Sequence, residues 1–248
     1  MKIGVYGLGR FGFFWSELLA EKFDVLGYNR SLLPDIPKKV SIVDENQILQ
    51  SDILFLCVSI SSLENVLESI ASRLKPGCLV FDTSSVKVYP VKLMKAILPD
   101  TVDIIATHPM FGPDSGKNGV KSLPVVFIPV RDRLGYAEKW RQIFIDFGMR
   151  VIEITAEEHD RDAALTQGVT HFIGRVLNEL NLKDSEIATV GYKSLLSIVE
   201  QTCNDPLQLF MDLQHYNPYT HKMRQDLNDS LKKTMNMLSD ADPERDIL

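Results

Sequence analysis

Short runs of consecutive apolar residues alternate with helical spacing through the first half of the chain, whereas helical spacing alone fills the second. Lys2-Ile3-Gly4-Val5-Tyr6 reads as a strand, and the apolar positions over residues 11–21 predict a helix. Val25-Leu26-Gly27-Tyr28 predicts a second strand, and residues 52–58 predict one that is buried on both sides, because no polar residue interrupts it. A helix over 63–74 is closed by Lys75-Pro76-Gly77 and followed by a strand over 78–81. Further strands are expected at 102–106, 125–129 and 151–154, with a helix over 134–147 between the last two. Strands alternating with helices at this interval predict an α/β unit built on a doubly wound parallel sheet, covered on both faces.

The pattern changes at Thr155-Ala156-Glu157-Glu158, where Thr155 caps a helix and Glu158, three residues on, completes a capping box. From there to Lys233 the spacing is helical and no strand is convincing, so the expected domains are 1–154 and an all-helical 155–248. Breaks are expected near Asn181-Leu182-Lys183-Asp184, Asn204-Asp205-Pro206 and Asn217-Pro218, and the polar tail from Ser239 is expected to fray.

With 45% apolar and 24% charged residues, the composition is that of a soluble globular protein. A formal charge of -6 speaks against a nucleic-acid partner, which calls for a basic face. Cys57, Cys78 and Cys203 lack metal-ligand spacing, and the first two lie in apolar runs, so neither disulfides nor a metal are expected. No apolar stretch has the length of a membrane span, and the N-terminus carries a single Lys2 before reading directly into a strand, so a secretory signal is not expected. A cytoplasmic protein with a small-molecule partner is the expectation.

Gly7-Leu8-Gly9-Arg10-Phe11-Gly12 lies between the first strand and the first helix. In that context the first glycine permits a tight turn, the second lets a pyrophosphate approach the backbone, and the third lets helix pack on strand. The helix N-terminus offers the anion unpaired N–H groups and a positive dipole end. Gly7, Gly9, Arg10, Phe11 and Gly12 are therefore candidate cofactor-binding residues of a Rossmann-type domain. NAD sites usually carry an acidic residue at the end of the second strand; here Tyr28 is followed by Asn29-Arg30-Ser31. A neutral Asn29, a cationic Arg30 and the Ser31 hydroxyl suit a 2′-phosphate, so NADP is favoured over NAD.

Two segments follow strands at the carboxyl edge of the sheet, where ligands bind in open α/β folds. They are Asp82-Thr83-Ser84-Ser85-Val86-Lys87 and Thr107-His108-Pro109-Met110-Phe111-Gly112-Pro113-Asp114. His108 can take a hydroxyl proton near neutral pH, and Ser85 can orient it or the substrate. Gln167, His171 and Arg175 are spaced four apart on one helix face. Gln167 and His171 are read as substrate contacts and Arg175 as a solvated surface residue. His159 and Asp160 read as structural residues in the first turn of a helix.

The glycine loop, the Ser85-Val86-Lys87 triplet and the His108 to Asp114 run resemble the prephenate and arogenate dehydrogenases of tyrosine biosynthesis. So do Glu158-His159-Asp160 and Gln167-Gly168-Val169-Thr170-His171-Phe172, in the family's order and over almost the whole chain. The resemblance implies oxidative decarboxylation of a cyclohexadienol acid, with His108 as base and Ser85 bonded to the substrate hydroxyl or to His108. It implies substrate contacts from Ser85, Lys87, Gln167 and His171, and a homodimer formed through the helical domain. One position departs from the family: where relatives carry an arginine for the ring carboxylate, this chain aligns Glu200. Either the alignment shifts by a turn, or another cation serves, with Lys193 and Arg224 as candidates, or the substrate differs. Two other readings stay open, a β-hydroxy acid dehydrogenase using Lys193 as base and an NADPH-binding regulator without turnover.

Overall fold

The structure, a computed structural model, describes residues 1–239, so the polar tail beyond Ser239 lies outside the described residues. Eight strands build one sheet: β1 (Ile3–Tyr6), β2 (Val25–Tyr28), β3 (Val40–Ile42), β4 (Ile53–Leu56), β5 (Leu79–Asp82), β6 (Asp103–Pro109), β7 (Pro124–Arg131) and β8 (Arg150–Glu153). Their order is β3-β2-β1-β4-β5-β6-β7-β8. The helices between them are α1 (Arg10–Leu19), α2 (Glu45–Ile48), α3 (Ile60–Ile70), α4 (Val88–Ile97), α5 (Pro113–Gly116) and α6 (Tyr136–Asp146).

The first six strands are mutually parallel. β7 runs antiparallel to β6, with Thr107 opposite Phe127 and His108 opposite Val126, and β8 is parallel to β7. The sheet is thus the expected doubly wound parallel one, with a single antiparallel pairing at one end. A parallel neighbour needs a crossover, usually a full helix. The β6–β7 connection holds only the four-residue α5, so the chain turns back at the edge it has just reached.

Burial on both faces explains the unbroken apolar strands. In β4, Ile53 and Phe55 face a cluster containing Trp15, Phe81, Trp140 and Phe144. Leu54 and Leu56 face the opposite cluster, with Leu63, Leu67, Val80 and Met94. Phe55 and Phe81 stack at 4.5 Å, and Trp140 stands edge-on to them at 5.4 and 5.0 Å. Such pairs add about 0.5–1.5 kcal/mol each beyond area burial.

Residues from Arg161 onward form a second compact unit. Its helices begin within α7 (Ala156–Ala163), which passes through one wide π turn, Ala164–Gly168, into α8 (Val169–Glu179). Then come α9 (Val190–Asn204), α10 (Leu207–Tyr216) and α11 (Thr220–Ser239), so all three expected breaks fall between helices. The capping box is present: the Glu158 amide donates to Thr155 Oγ1, and the Glu158 carboxylate accepts from the Thr155 amide at 2.8 Å. The units divide at Asp160, not at 154, because the first turn of α7 is hydrogen-bonded into the sheet unit. Gln214 organises the helical unit. Its amide donates to the Gly168 carbonyl of the π turn at 2.9 Å, and its own oxygens accept from Arg224. No helix among the described residues is long and apolar enough to cross a membrane.

Candidate active site

β1 delivers the chain into the glycine loop. Gly7 has φ +98°, a conformation that other residues adopt only with strain, and its amide donates to the Tyr28 carbonyl at 2.8 Å. A Cβ at Gly12 would lie 1.9 Å from the Gly7 carbonyl oxygen, so nothing larger than glycine closes this turn. At Gly9 a Cβ would meet nothing within 4 Å, which leaves that face of the loop open. No side chain caps α1. The amides of a helix's first turn have no intrahelical acceptor and carry the positive end of its dipole. Asn29 fastens the loop to the end of β2: its Oδ1 accepts from the Leu8 amide at 3.0 Å and its Nδ2 donates to the Ser31 carbonyl at 2.9 Å.

Beside the loop lies a cavity of about 880 Å³, lined in part by Gly9, Arg10, Asn29, Leu32 and Leu33. An open cradle, an uncapped helix end and this cavity fit a dinucleotide, with the pyrophosphate on the loop. The Arg10 guanidinium pairs with Asp114 at 2.5 Å, and the Phe11 ring stacks on Trp15 at 5.6 Å. Both side chains are engaged within the protein. Arg30 and Ser31 are exposed.

His108 stands at the carboxyl end of β6 and is 4% exposed. Its Nδ1 lies 2.8 Å from His159 Nε2, and His159 Nδ1 lies 2.8 Å from Asp160 Oδ1. Asp160 in turn accepts the amides of Lys87 and Val88 at 2.6 and 2.9 Å. His159 and Asp160, read from the sequence as structural, thus extend a chain of hydrogen bonds from the candidate base. Their signal was the Glu158-His159-Asp160 run, but nothing in its spacing announced a partner 51 residues away.

Ser85 Oγ is buried without a hydrogen-bond partner, so it does not hold His108. Leaving a buried hydroxyl unpaired costs about 1–3 kcal/mol, a cost that a hydrogen-bonding ligand removes. Lys87 corrects an expectation. It is fully buried, and its ammonium donates to Asp82 and, at 2.6 Å, to the Thr107 carbonyl. Burial pushes its pKa down, against the pull of Asp82. With its ammonium taken up inside the protein, Lys87 ties β5 to β6 rather than touching substrate.

In the helical unit, Gln167 Oε1, His171 Nδ1 and Arg175 Nε are all buried without hydrogen-bond partners. Gln167 lies in the π turn, a feature frequent at functional sites, and His171 and Arg175 follow on α8. Arg175 is not the solvated residue expected: it is half-buried, and it donates to the carbonyls of Thr202 and Asp205 at 3.2 and 2.8 Å. Glu200 and Lys193 are exposed on α9. Among the described residues, no three His, Cys, Asp or Glu side chains are grouped to hold a metal.

Burial lowers the pKa of His171; the Asp205 charge opposes the shift and Arg175 adds to it. The unfolded chain therefore binds a proton at this residue near pH 6.5, while the folded chain waits for a lower pH. Stability should fall as pH drops from about 6.5 towards the folded value, and His171→Gln should flatten that fall. Urea midpoints measured between pH 7 and pH 5 check this; identical slopes for both proteins would remove His171 as the cause.

Doubly wound sheets that take a dinucleotide at their carboxyl edge are the class that this topology and glycine loop define. Residues 35–130 match the model for the prephenate dehydrogenase nucleotide-binding domain, and residues 176–246 match the TYRAAT1-like C-terminal domain. The chain belongs to the prephenate and arogenate dehydrogenase family. It is 40% identical over 230 residues to two chloroplastic proteins of Arabidopsis thaliana, arogenate dehydrogenases 1 and 2. These alignments cover 88% of this chain but only 36% and 64% of those relatives. The crystal structure of prephenate dehydrogenase from A. aeolicus, in complex with hydroxyphenyl propionate and NAD+, has a TM-score of 0.73 at 16% identity. That likeness covers 97% of this chain and 91% of the other, and it concerns the fold.

Proposed function

We propose that this protein is a nicotinamide-dependent dehydrogenase that oxidatively decarboxylates arogenate, with prephenate the poorer substrate. The observation that carries the reading is His108, a buried imidazole at the carboxyl edge of the dinucleotide-binding sheet, held by its Nδ1. The names of the 40%-identical relatives support the choice of arogenate. His108 takes the ring hydroxyl proton as hydride leaves the carbinol carbon. The bond to the ring carboxylate then breaks, carbon dioxide departs, and its electron pair makes the ring aromatic. Ser85 Oγ, buried and unpartnered, donates to the same hydroxyl. Within the helical unit, Gln167 Oε1 and His171 Nδ1 are buried without partners, which keeps both as candidate ligand contacts. A nicotinamide dinucleotide, when bound, would supply the hydride acceptor, and the amides at Gly9 to Gly12 would hold its pyrophosphate.

NADP is the proposed cofactor, because Asn29-Arg30-Ser31 follows β2 without a carboxylate to repel the 2′-phosphate. A two-fold dimer formed through the helical unit is part of the same reading. Ile187 and Val190 are 91% and 84% exposed there, and Leu207 and Met211 are 60% and 50% exposed, which is apolar surface suited to a partner copy.

Following reduced-nicotinamide formation with arogenate, prephenate and a β-hydroxy acid tests the activity. Turnover of the β-hydroxy acid alone, or binding of NADP without turnover of any of the three, would replace this reading with one of its rivals. Arg30→Ala should weaken NADP by about 1.5–3 kcal/mol, the worth of a hydrogen bond to a charged group, and leave NAD nearly unchanged. Titration of both cofactors into both proteins reads this directly; equal losses would take Arg30 out of the 2′-phosphate site.

A further inference from the structure

We propose that His159 is a positioning residue that holds His108 in the one tautomer able to act as a base. The inference deepens the reading of His108 as proton acceptor and rests on it. Asp160 is fully buried, and both its oxygens accept backbone amides, Oδ1 from Lys87 and Oδ2 from Val88. A carboxylate is an acceptor only, so the proton in the 2.8 Å contact between Asp160 Oδ1 and His159 Nδ1 belongs to the histidine. A neutral imidazole has one N–H and one lone pair. With the proton on Nδ1, His159 Nε2 is an acceptor, and the 2.8 Å contact is made by His108 Nδ1–H donating to it. The lone pair of His108 is thereby fixed on Nε2.

The opposite tautomer would set two lone pairs against each other across 2.8 Å and leave His108 Nε2 already protonated. Such a histidine could not accept the hydroxyl proton. Once Nε2 takes that proton, the cation keeps its Nδ1–H bond to His159, which is itself polarised by the Asp160 charge. The contacts are dry, with His108 4% and His159 3% exposed, which strengthens them. The frame is also stiff. Lys87, whose amide binds Asp160, is anchored through its ammonium to Asp82 and Thr107. Orientation of a ring nitrogen through the other one is a general way of choosing a histidine's active face.

Nitrogen-15 NMR of histidine-labelled wild-type protein at neutral pH reads the tautomer without any turnover. The expected spectrum shows His108 protonated at Nδ1 and not at Nε2; the reverse pattern overturns the proposal. In kinetics, His159→Asn keeps the reach to Asp160 but not to His108. It should lower kcat by about ten- to a hundredfold, the scale of losing an outer partner that orients a histidine, with KM and cofactor affinity little changed. His159→Gln, whose amide oxygen can sit where Nε2 sat, should recover most of that loss. Equal losses in the two variants, or wild-type kcat in His159→Asn, also overturn it. Should a variant fail to fold, the wild-type spectrum still decides. If His108→Asn turns over normally while the spectrum is as expected, the reading of His108 as base has failed and the tautomer assignment has not.

Discussion

Exchange of His108 for Asn should lower turnover by about a hundred- to ten-thousand-fold while cofactor affinity stays near that of wild type. The asparagine amide can sit close to where Nδ1 stood and still donate to His159, so the buried hydrogen-bond chain that starts there survives. What disappears is the second ring nitrogen, the one that takes the substrate proton. The hydrogen bonds that build the glycine loop run from Gly7 to Tyr28 and between Asn29 and Leu8 and Ser31, which is why cofactor binding is insulated from the change. Steady-state kinetics with arogenate and calorimetric titration with NADP separate the two quantities. Near-normal turnover would remove His108 from the chemistry, and an equal fall in NADP affinity would make its role architectural.

Lys87→Met should be among the most destabilising single changes in the sheet unit, by about 3–5 kcal/mol. Asp82 and Lys87 both have fully buried side chains. Removing the ammonium strands a buried carboxylate whose Oδ1 keeps the Ser84 amide at 2.9 Å. Asp82 Oδ2 is already without a donor. It also releases the Thr107 carbonyl, which accepts from Lys87 at 2.6 Å one residue before His108. For a chain of this length the loss corresponds to a fall in Tm of roughly 6–20 °C. The double variant Asp82→Leu with Lys87→Met should regain much of it, because replacing both members of a buried pair by apolar groups is often neutral. Calorimetry on the three proteins gives the coupling; a single variant within 1 kcal/mol of wild type would show that the pair contributes little.

Much of this was legible in the sequence because the signals were local. The glycine spacing locates the turn and the helix start, since Gly7 takes a positive φ and a Cβ at Gly12 would strike the Gly7 carbonyl five residues back. The helix breaks around Asn181, Pro206 and Pro218 are equally local. Other elements carried no such mark. β3 is a three-residue edge strand, Val40–Ile42, with two of its residues exposed, so it lacks both length and alternation. α4 has Pro90 in its first turn and no side-chain cap, and its short apolar stretch follows directly on the Lys87 turn. The direction of β7 depends on where its connection can reach, and composition does not record that. The link from His108 to Asp160 was invisible for a similar reason: the contact is made by folding, and neither partner's neighbours differ from those of an ordinary helix start or strand end. Lys87 was the opposite case, where a charged residue near a binding edge suggested a ligand and the fold supplied an internal partner.

The two rims of the sheet set limits on how copies of this protein can meet. A rim strand exposes unused amide and carbonyl groups that could splice onto a neighbour's rim and propagate into a ribbon. Here β3 offers three residues and β8 four, and Arg150 and Glu153 at the ends of β8 are exposed and oppositely charged. Strands this short, one of them ending in charges, are poor templates for strand recruitment. The sheet is therefore closed to growth by its own outline, and a concentrated solution of this protein should resist cross-β fibre formation even where its helices associate.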